Sequence, residues 1–172
     1  MKVILWMGMS LNGYIAGEDS TEDFISEDCW HTWVEELKKH GCVIFGRKTH
    51  QNLITWSKRY IKDLEGIKII VVSNNLDYKV SSDFKLVNSP QAAIDTLEKQ
   101  GFSSIVLTGG STLNSSFAKL GLIDEVILNV EPVIVGKGIP VFKADDFELK
   151  LELIEMRKSK GKIIQLHYLV KK

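Results

Sequence analysis

The chain has 172 residues, which sets one domain with a sizeable core as the expectation. Its 22 Lys and Arg balance 22 Asp and Glu, so no bulk charge draws it to nucleic acid. Apolar content of 44% fits a globular protein, and no apolar run reaches the length that spans a membrane. Cys29 and Cys42 are the only cysteines and the four histidines are scattered, which implies neither a disulfide framework nor a metal site. The opening apolar run breaks at Ser10-Leu11-Asn12-Gly13 with no cleavage-type ending, so a cytoplasmic location is the default expectation.

Val3 to Met9 is almost unbroken apolar sequence and reads as a central strand buried on both faces. Glu18 to Asp28 is acidic and polar and predicts an exposed loop. Ser26 is placed to cap a helix, with Glu27 and Asp28 at its positive end. Trp30, Trp33, Val34 and Leu37 form the apolar stripe of that helix, and Gly41 ends it. Cys42 to Phe45 is a short buried strand, after which Gly46-Arg47-Lys48-Thr49 opens a second helix backed by Leu53, Ile54 and Trp56. Ile67 to Val72 is a further strand, ending at Ser73-Asn74-Asn75, and Phe84 to Val87 is a short one. Ser89-Pro90 starts a helix with Ala93, Ile94 and Leu97 on its apolar side.

Ser104 to Leu107 runs as a strand through Thr108 into Gly109-Gly110, and Leu113, Phe117 and Leu120 give the following segment a helical period. Glu125 to Val130 is a strand, Pro132 to Phe142 a loop with a turn at Gly136-Lys137-Gly138. Leu149 to Arg157 and Lys162 to Val170 flank a turn and predict a hairpin.

Strands alternating with helices imply a largely parallel sheet covered on both faces, and such sheets bind ligands beyond the carboxyl ends of their strands. Gly8 to Gly17, Gly46 to Thr49, Ser73-Asn74 and Gly109 to Thr112 all lie just past such ends. Two glycines let the backbone come close to a ligand, and the helix start after them favours an anion. Arg47 and Lys48 oppose the dipole of their own helix, a conflict that a bound phosphate relieves. Thr49 and Ser111 either cap their helices or touch a ligand. Asp28 is either a surface acid at a helix start or a proton donor. Trp30 is either core or pocket wall, and Glu131, just past a strand, borders the site.

These segments resemble the dihydrofolate reductase fold, and within it the riboflavin-biosynthesis reductase (RibD C-terminal domain) family. Ser10-Leu11-Asn12-Gly13-Tyr14-Ile15-Ala16 is similar to that group's S-L-D-G-[YF]-I-A, and Gly46-Arg47-Lys48-Thr49 to its G-R-x-T. Leu107-Thr108-Gly109-Gly110 resembles its Gly-Gly turn, and Pro132 to Phe142 its P-V-x-x-G-x-G-x-P-x-F loop. The resemblance implies one three-layer α/β domain over residues 1–172: a mostly parallel sheet, helices on both faces and a C-terminal antiparallel hairpin.

It also implies an NADPH-dependent reductase. Thr108, Gly109, Gly110, Ser111, Thr112 and Leu113 would then hold the cofactor pyrophosphate, with Gly46, Arg47, Lys48 and Thr49 on its phosphates. Ser73 and Asn74 would lie near the adenosine, and the backbone of Gly8 and Ile15 at the nicotinamide carboxamide. Trp30 and Glu131 would border the substrate and Asp28 would support proton transfer.

Two positions depart from the pattern. Asn12 replaces the Asp of S-L-D-G. A gapless count back from Gly46 puts Trp30, with Asp28 two residues away, where dihydrofolate reductases keep a carboxylate on the first helix. The expected reaction is hydride transfer to a pteridine-like or pyrimidine-like small molecule. The alternatives are ribosylaminopyrimidine phosphate reduction and nucleotide binding without catalysis. The reading admits a homodimer.

Overall fold

Strand β1 (Lys2–Ser10) runs through the middle of the sheet in the computed structural model, which describes residues 1–172. Successive side chains of a strand point to opposite faces, and on β1 both sets are apolar. Val3, Leu5 and Met7 enter one core, while Ile4 and Trp6 enter the other.

The chain continues as β2 (Tyr14–Gly17), α1 (Glu27–His40), β3 (Cys42–Gly46), α2 (Arg47–Leu53), α3 (Lys58–Asp63), β4 (Lys68–Val72) and β5 (Phe84–Val87). It then forms α4 (Pro90–Glu98), β6 (Ser104–Leu107), α5 (Ser111–Lys119), β7 (Glu125–Glu131), β8 (Gly138–Pro140), β9 (Lys150–Lys158) and β10 (Ile164–Lys171). The main sheet has the order β5-β4-β3-β6-β1-β7-β10-β9. Its pairs from β5 to β7 are parallel, whereas β10 runs antiparallel to both β7 and β9. The expected α/β class, parallel centre and terminal hairpin are all present.

One core packs Trp30, Trp33, Val34 and Leu37 of α1 against the sheet. The other packs Ala93, Ile94 and Leu97 of α4 with Leu113 and Phe117 of α5. The helix ends fall where the capping chemistry puts them. Ser26 Oγ accepts from the Cys29 N–H (3.2 Å), and Ser89 Oγ accepts from the Ala92 N–H (3.2 Å). Gly41 closes α1 at φ 76°, donating its N–H to the Leu37 carbonyl (2.7 Å).

Three features differ from the sequence reading, the first being that the 132–142 segment read as a loop contains β8, which pairs with β2. The short α3 has no buried residue, so no apolar stripe announces it. The Glu18 to Asp28 stretch is not simply exposed. Gly17 donates its N–H to the Thr21 carbonyl (2.8 Å), and Asn52 Nδ2 on α2 donates to the Ser20 carbonyl (3.2 Å). Those bonds fold the segment over the sheet edge, where Ile25 packs on the α1-side core.

Candidate cofactor groove and active site

The carboxyl ends of β3 and β6 are stitched together. Thr108 donates its N–H to the Ile44 carbonyl (2.9 Å), and Gly46 donates its N–H to the Gly109 carbonyl (2.8 Å). Gly109 sits at φ 71°, and a methyl group there would stand 3.3 Å from Met7 Cε. The Gly109–Gly110 peptide bond is cis. Gly110 is the N-cap of α5 at φ −73°, with no side chain satisfying the first turn of that helix. A methyl on Gly110 would touch only Thr49 Oγ1, at 3.5 Å, among protein atoms.

These ends open onto a groove of about 490 Å³. Gly46, Arg47, Lys48 and Thr49 line one wall, and Gly110, Ser111, Thr112 and Leu113 the other. Ser73 and Asn74 lie along the same groove at the end of β4. Ser73 Oγ is occupied in accepting the Asn75 N–H (3.0 Å). Ser111 is buried, and its hydroxyl has no partner in the protein. Lys48 is exposed, and Arg47 spends one bond on Gln51 Oε1 (3.3 Å). Neither cation has a carboxylate partner, so both are available to an anion in the groove. A Cβ-free cradle, an orphaned buried hydroxyl, an uncapped helix start and two cations without a carboxylate partner together fit the phosphates of a dinucleotide.

Next to the groove lies a smaller cavity of about 90 Å³ with aromatic walls: Trp6, Trp30, Trp33, Trp56 and Phe45. Trp30 packs on Trp33 and Trp56 with ring centroids 4.8 and 5.4 Å apart. Its Nε1 donates to Asp63 Oδ2 (2.9 Å), and Trp33 Nε1 donates to Thr108 Oγ1 (2.9 Å), so both rings are fixed in place. Trp30, at the position that the gapless count singled out, is a cavity-lining indole. Gly8 borders this cavity, and a Cβ on it would stand 2.7 Å from Cys29 Sγ of α1, so the position takes no larger residue. No Lys or Arg lines it. Groove and cavity share Ile15, Glu22, Thr49 and Gly110, so the two spaces meet there.

The structure brings the fourteen expected cofactor residues to this edge, with Gly8 and Thr108 on the aromatic cavity and Gly109 beneath the turn. It does not bring the two expected acids. Asp28 lines neither space; its carboxylate lies over Gly161, in the turn between β9 and β10. The start of α1 faces that turn, which carries the side chain away from the cavity. Glu131 is buried but also lines neither space. Its Oε1 accepts from both the N–H (2.9 Å) and the Oγ (2.7 Å) of Ser26.

The acid that does reach the site is Glu22, in the segment read as exposed loop. Its carboxylate has no hydrogen-bonding partner in the protein, and burial pushes it up to about 7. Nothing periodic in Ser20-Thr21-Glu22-Asp23 marks it, because its placement depends on a fold-back tied to α2 by the Asn52 side chain. Cys29, beside it, is kept a thiol: burial pushes its acidity well down, and the charges of Glu131 and Glu22 add to that.

The architecture is that of the dihydrofolate reductases. Dihydrofolate reductase from Enterococcus faecalis, complexed with NADP(H), superposes with a TM-score of 0.77 at 15% identity over 99% of this chain and 97% of that one. A protein of Shewanella sp. PV-4 named for riboflavin biosynthesis superposes at 0.81, with 22% identity over 100% of both chains. Within this fold the chain belongs to the RibD C-terminal domain family, whose model matches residues 1–165. The uncharacterized protein YwjB of Bacillus subtilis (strain 168) is 29% identical over 171 residues, 97% of each chain.

Proposed function

We propose that this chain is an NADPH-dependent reductase that places a hydride on the C=N or C=O carbon of a pteridine-like or pyrimidine-like small molecule. One observation carries the reading: a groove with the polarity of a dinucleotide site runs into an aromatic cavity, and the two join at Ile15, Thr49 and Gly110. When bound, the cofactor supplies the hydride from its nicotinamide. The chain's own part is to hold and align. Ser111, Thr112 and the α5 start take the pyrophosphate, Arg47 and Lys48 take further phosphate charge, and Ser73 and Asn74 flank the adenosine side. The tryptophan walls stack a flat ring and exclude water from it.

The same cavity separates the substrate readings. A ribosyl phosphate needs a cationic partner, and the aromatic cavity contains none. A base-like ring without phosphate suits it better. The working form we infer is a homodimer, since the far edge of the sheet carries unpartnered apolar side chains on β9.

The test is a titration of NADPH and NADH against the protein, read by tryptophan fluorescence. NADPH should bind about tenfold more tightly or better, because a charge-assisted bond contributes about 1.5–3 kcal/mol. Equal affinities would remove Arg47 and Lys48 from 2′-phosphate recognition, and no binding of either would sink the reading.

A further inference from the structure

Two acids expected near the chemistry lie elsewhere: Asp28 over Gly161, and Glu131 bonded to Ser26. Asp63, the acid beneath the aromatic wall, is occupied by the Trp30 indole. Glu22 alone among the carboxylates lines both the groove and the cavity, and its carboxylate makes no hydrogen bond to the protein. We propose that Glu22 is the acid of this site and gives its proton to a ring nitrogen of a flat, phosphate-free heteroaromatic substrate seated between the tryptophans. The inference rests on the reductase reading and adds to it the proton source and the chemical class of the acceptor.

Position supports this first. Glu22 shares the junction with Ile15, Thr49 and Gly110, where a ring in the aromatic cavity and a nicotinamide at the end of the groove would adjoin. The surroundings support it next. Cys29 of α1 is the only other titratable group on the aromatic cavity, and burial makes its thiol a poor proton donor. Arg47 and Lys48 of α2 are the only cations on the groove. His50 points elsewhere, with Nδ1 at 2.6 Å from the Tyr78 hydroxyl. Burial keeps a large fraction of Glu22 protonated at neutral pH, as a general acid requires.

The step balances without a further reactant. The C=N carbon receives a hydride from the reduced nicotinamide cofactor, and the C=N π pair moves to nitrogen. The O–H bond of Glu22 breaks as the new N–H bond forms, and the carboxylate is reprotonated by water from the open groove.

Three measurements decide it. In protein labelled with carbon-13 at the glutamate carboxyls, the resonance lost in Glu22→Gln should titrate near neutrality; a midpoint below about 5, in the ordinary carboxylate range, overturns the proposal. NADPH binding at pH 7.5 should take up a fraction of a proton, because the ligand excludes water from Glu22 and adds negative charge. Calorimetry in two buffers of different ionisation enthalpy reads this uptake. Glu22→Gln should bind NADPH within about threefold of the wild type and lose the uptake, whereas unchanged uptake overturns the proposal.

With 7,8-dihydropterin as the probe substrate, Glu22→Gln should turn over about 10²-fold more slowly and lose the break near neutral pH. Glu22→Asp should keep the break at a reduced rate. A Gln variant within about threefold of wild type, with the same pH profile, overturns the proposal while leaving the reductase reading intact. Wild-type protein that neither binds NADPH nor reduces the probe would count against the reductase reading, and the carboxyl titration would still decide whether Glu22 holds a proton at neutral pH.

Discussion

Asn12 uses both ends of its amide on one residue. Its Nδ2 donates to the Val135 carbonyl (2.7 Å), and its Oδ1 accepts the Val135 N–H (3.1 Å) and the Ser10 hydroxyl (2.9 Å). A carboxylate cannot donate, so Asn12→Asp would set a lone pair against the Val135 carbonyl. The departure from S-L-D-G therefore latches the 132–138 loop. Asn12→Asp should lose about 1 kcal/mol, the scale of one such bond, and speed hydrogen exchange at Val135. The neighbouring glycines of the Gly-Gly turn should respond differently to alanine. Gly110 has an ordinary φ and space for a methyl, so Gly110→Ala should fold normally and weaken NADPH about tenfold or more, roughly 1.4 kcal/mol, by filling the cradle. Gly109 has φ 71°, so Gly109→Ala should lower stability by about 1–2 kcal/mol in a denaturant titration. Glu22 adds a pH signature. Its carboxyl is raised in the folded chain, so the native state binds more protons than the unfolded state between the ordinary carboxylate range and about 7. Stability from this group is full at low pH and falls as pH rises through that window. Glu22→Gln removes the fall, so the variant should melt at the wild-type temperature in acid and above it at pH 8.

The entry into α1 shows how an element is held from outside itself. Ser26 caps the helix with its oxygen while donating its N–H and O–H to Glu131, 105 positions later on β7. Glu131→Ala leaves the Ser26 N–H without that acceptor and should cost about 1–3 kcal/mol. Glu131→Gln keeps the oxygen and should cost less, and NADPH affinity should stay unchanged in both, since Glu131 lines neither space. A change in affinity with Gln would return Glu131 to the site. The cap itself was readable in the sequence, because Ser26, the acidic first turn and Gly41 are local signals. Its brace was not, because the pairing of Ser26 with Glu131 exists only once β7 is in the sheet. The same contrast separates β1, β3, β4 and β6, whose apolar runs declare buried strands, from α3, which has no fully buried residue, and from β2 and β8, which pair across more than a hundred residues.

At the scale of the molecule, the groove was legible because its glycines, cations and hydroxyls sit in short local motifs at strand ends. The acid was not, because Glu22 becomes a site residue only through the fold-back of its loop. The far edge of the sheet has a different consequence. Leu151, Leu153 and Met156 of β9 stand opposite Val170, Tyr168 and Leu166 of β10 in the antiparallel register. That pairing puts them on one face, and there they are 41%, 52% and 66% exposed. Strand β9 is also the last in the sheet, so its outer backbone edge has no partner. A long edge strand with an exposed apolar row invites pairing or burial, and charges placed on such edges oppose it. A second copy offers the same row, and two-fold symmetry lets each row cover the other. Sedimentation equilibrium should therefore give twice the 19.4 kDa chain mass. Leu153→Glu combined with Met156→Glu should give the single-chain mass while NADPH affinity holds within about twofold, because β9 lies at the opposite end of the sheet from β3 and β4. A wild-type chain sedimenting at the single-chain mass at high concentration would mean that the β9 row is covered by nothing, and the dimer would have to be abandoned.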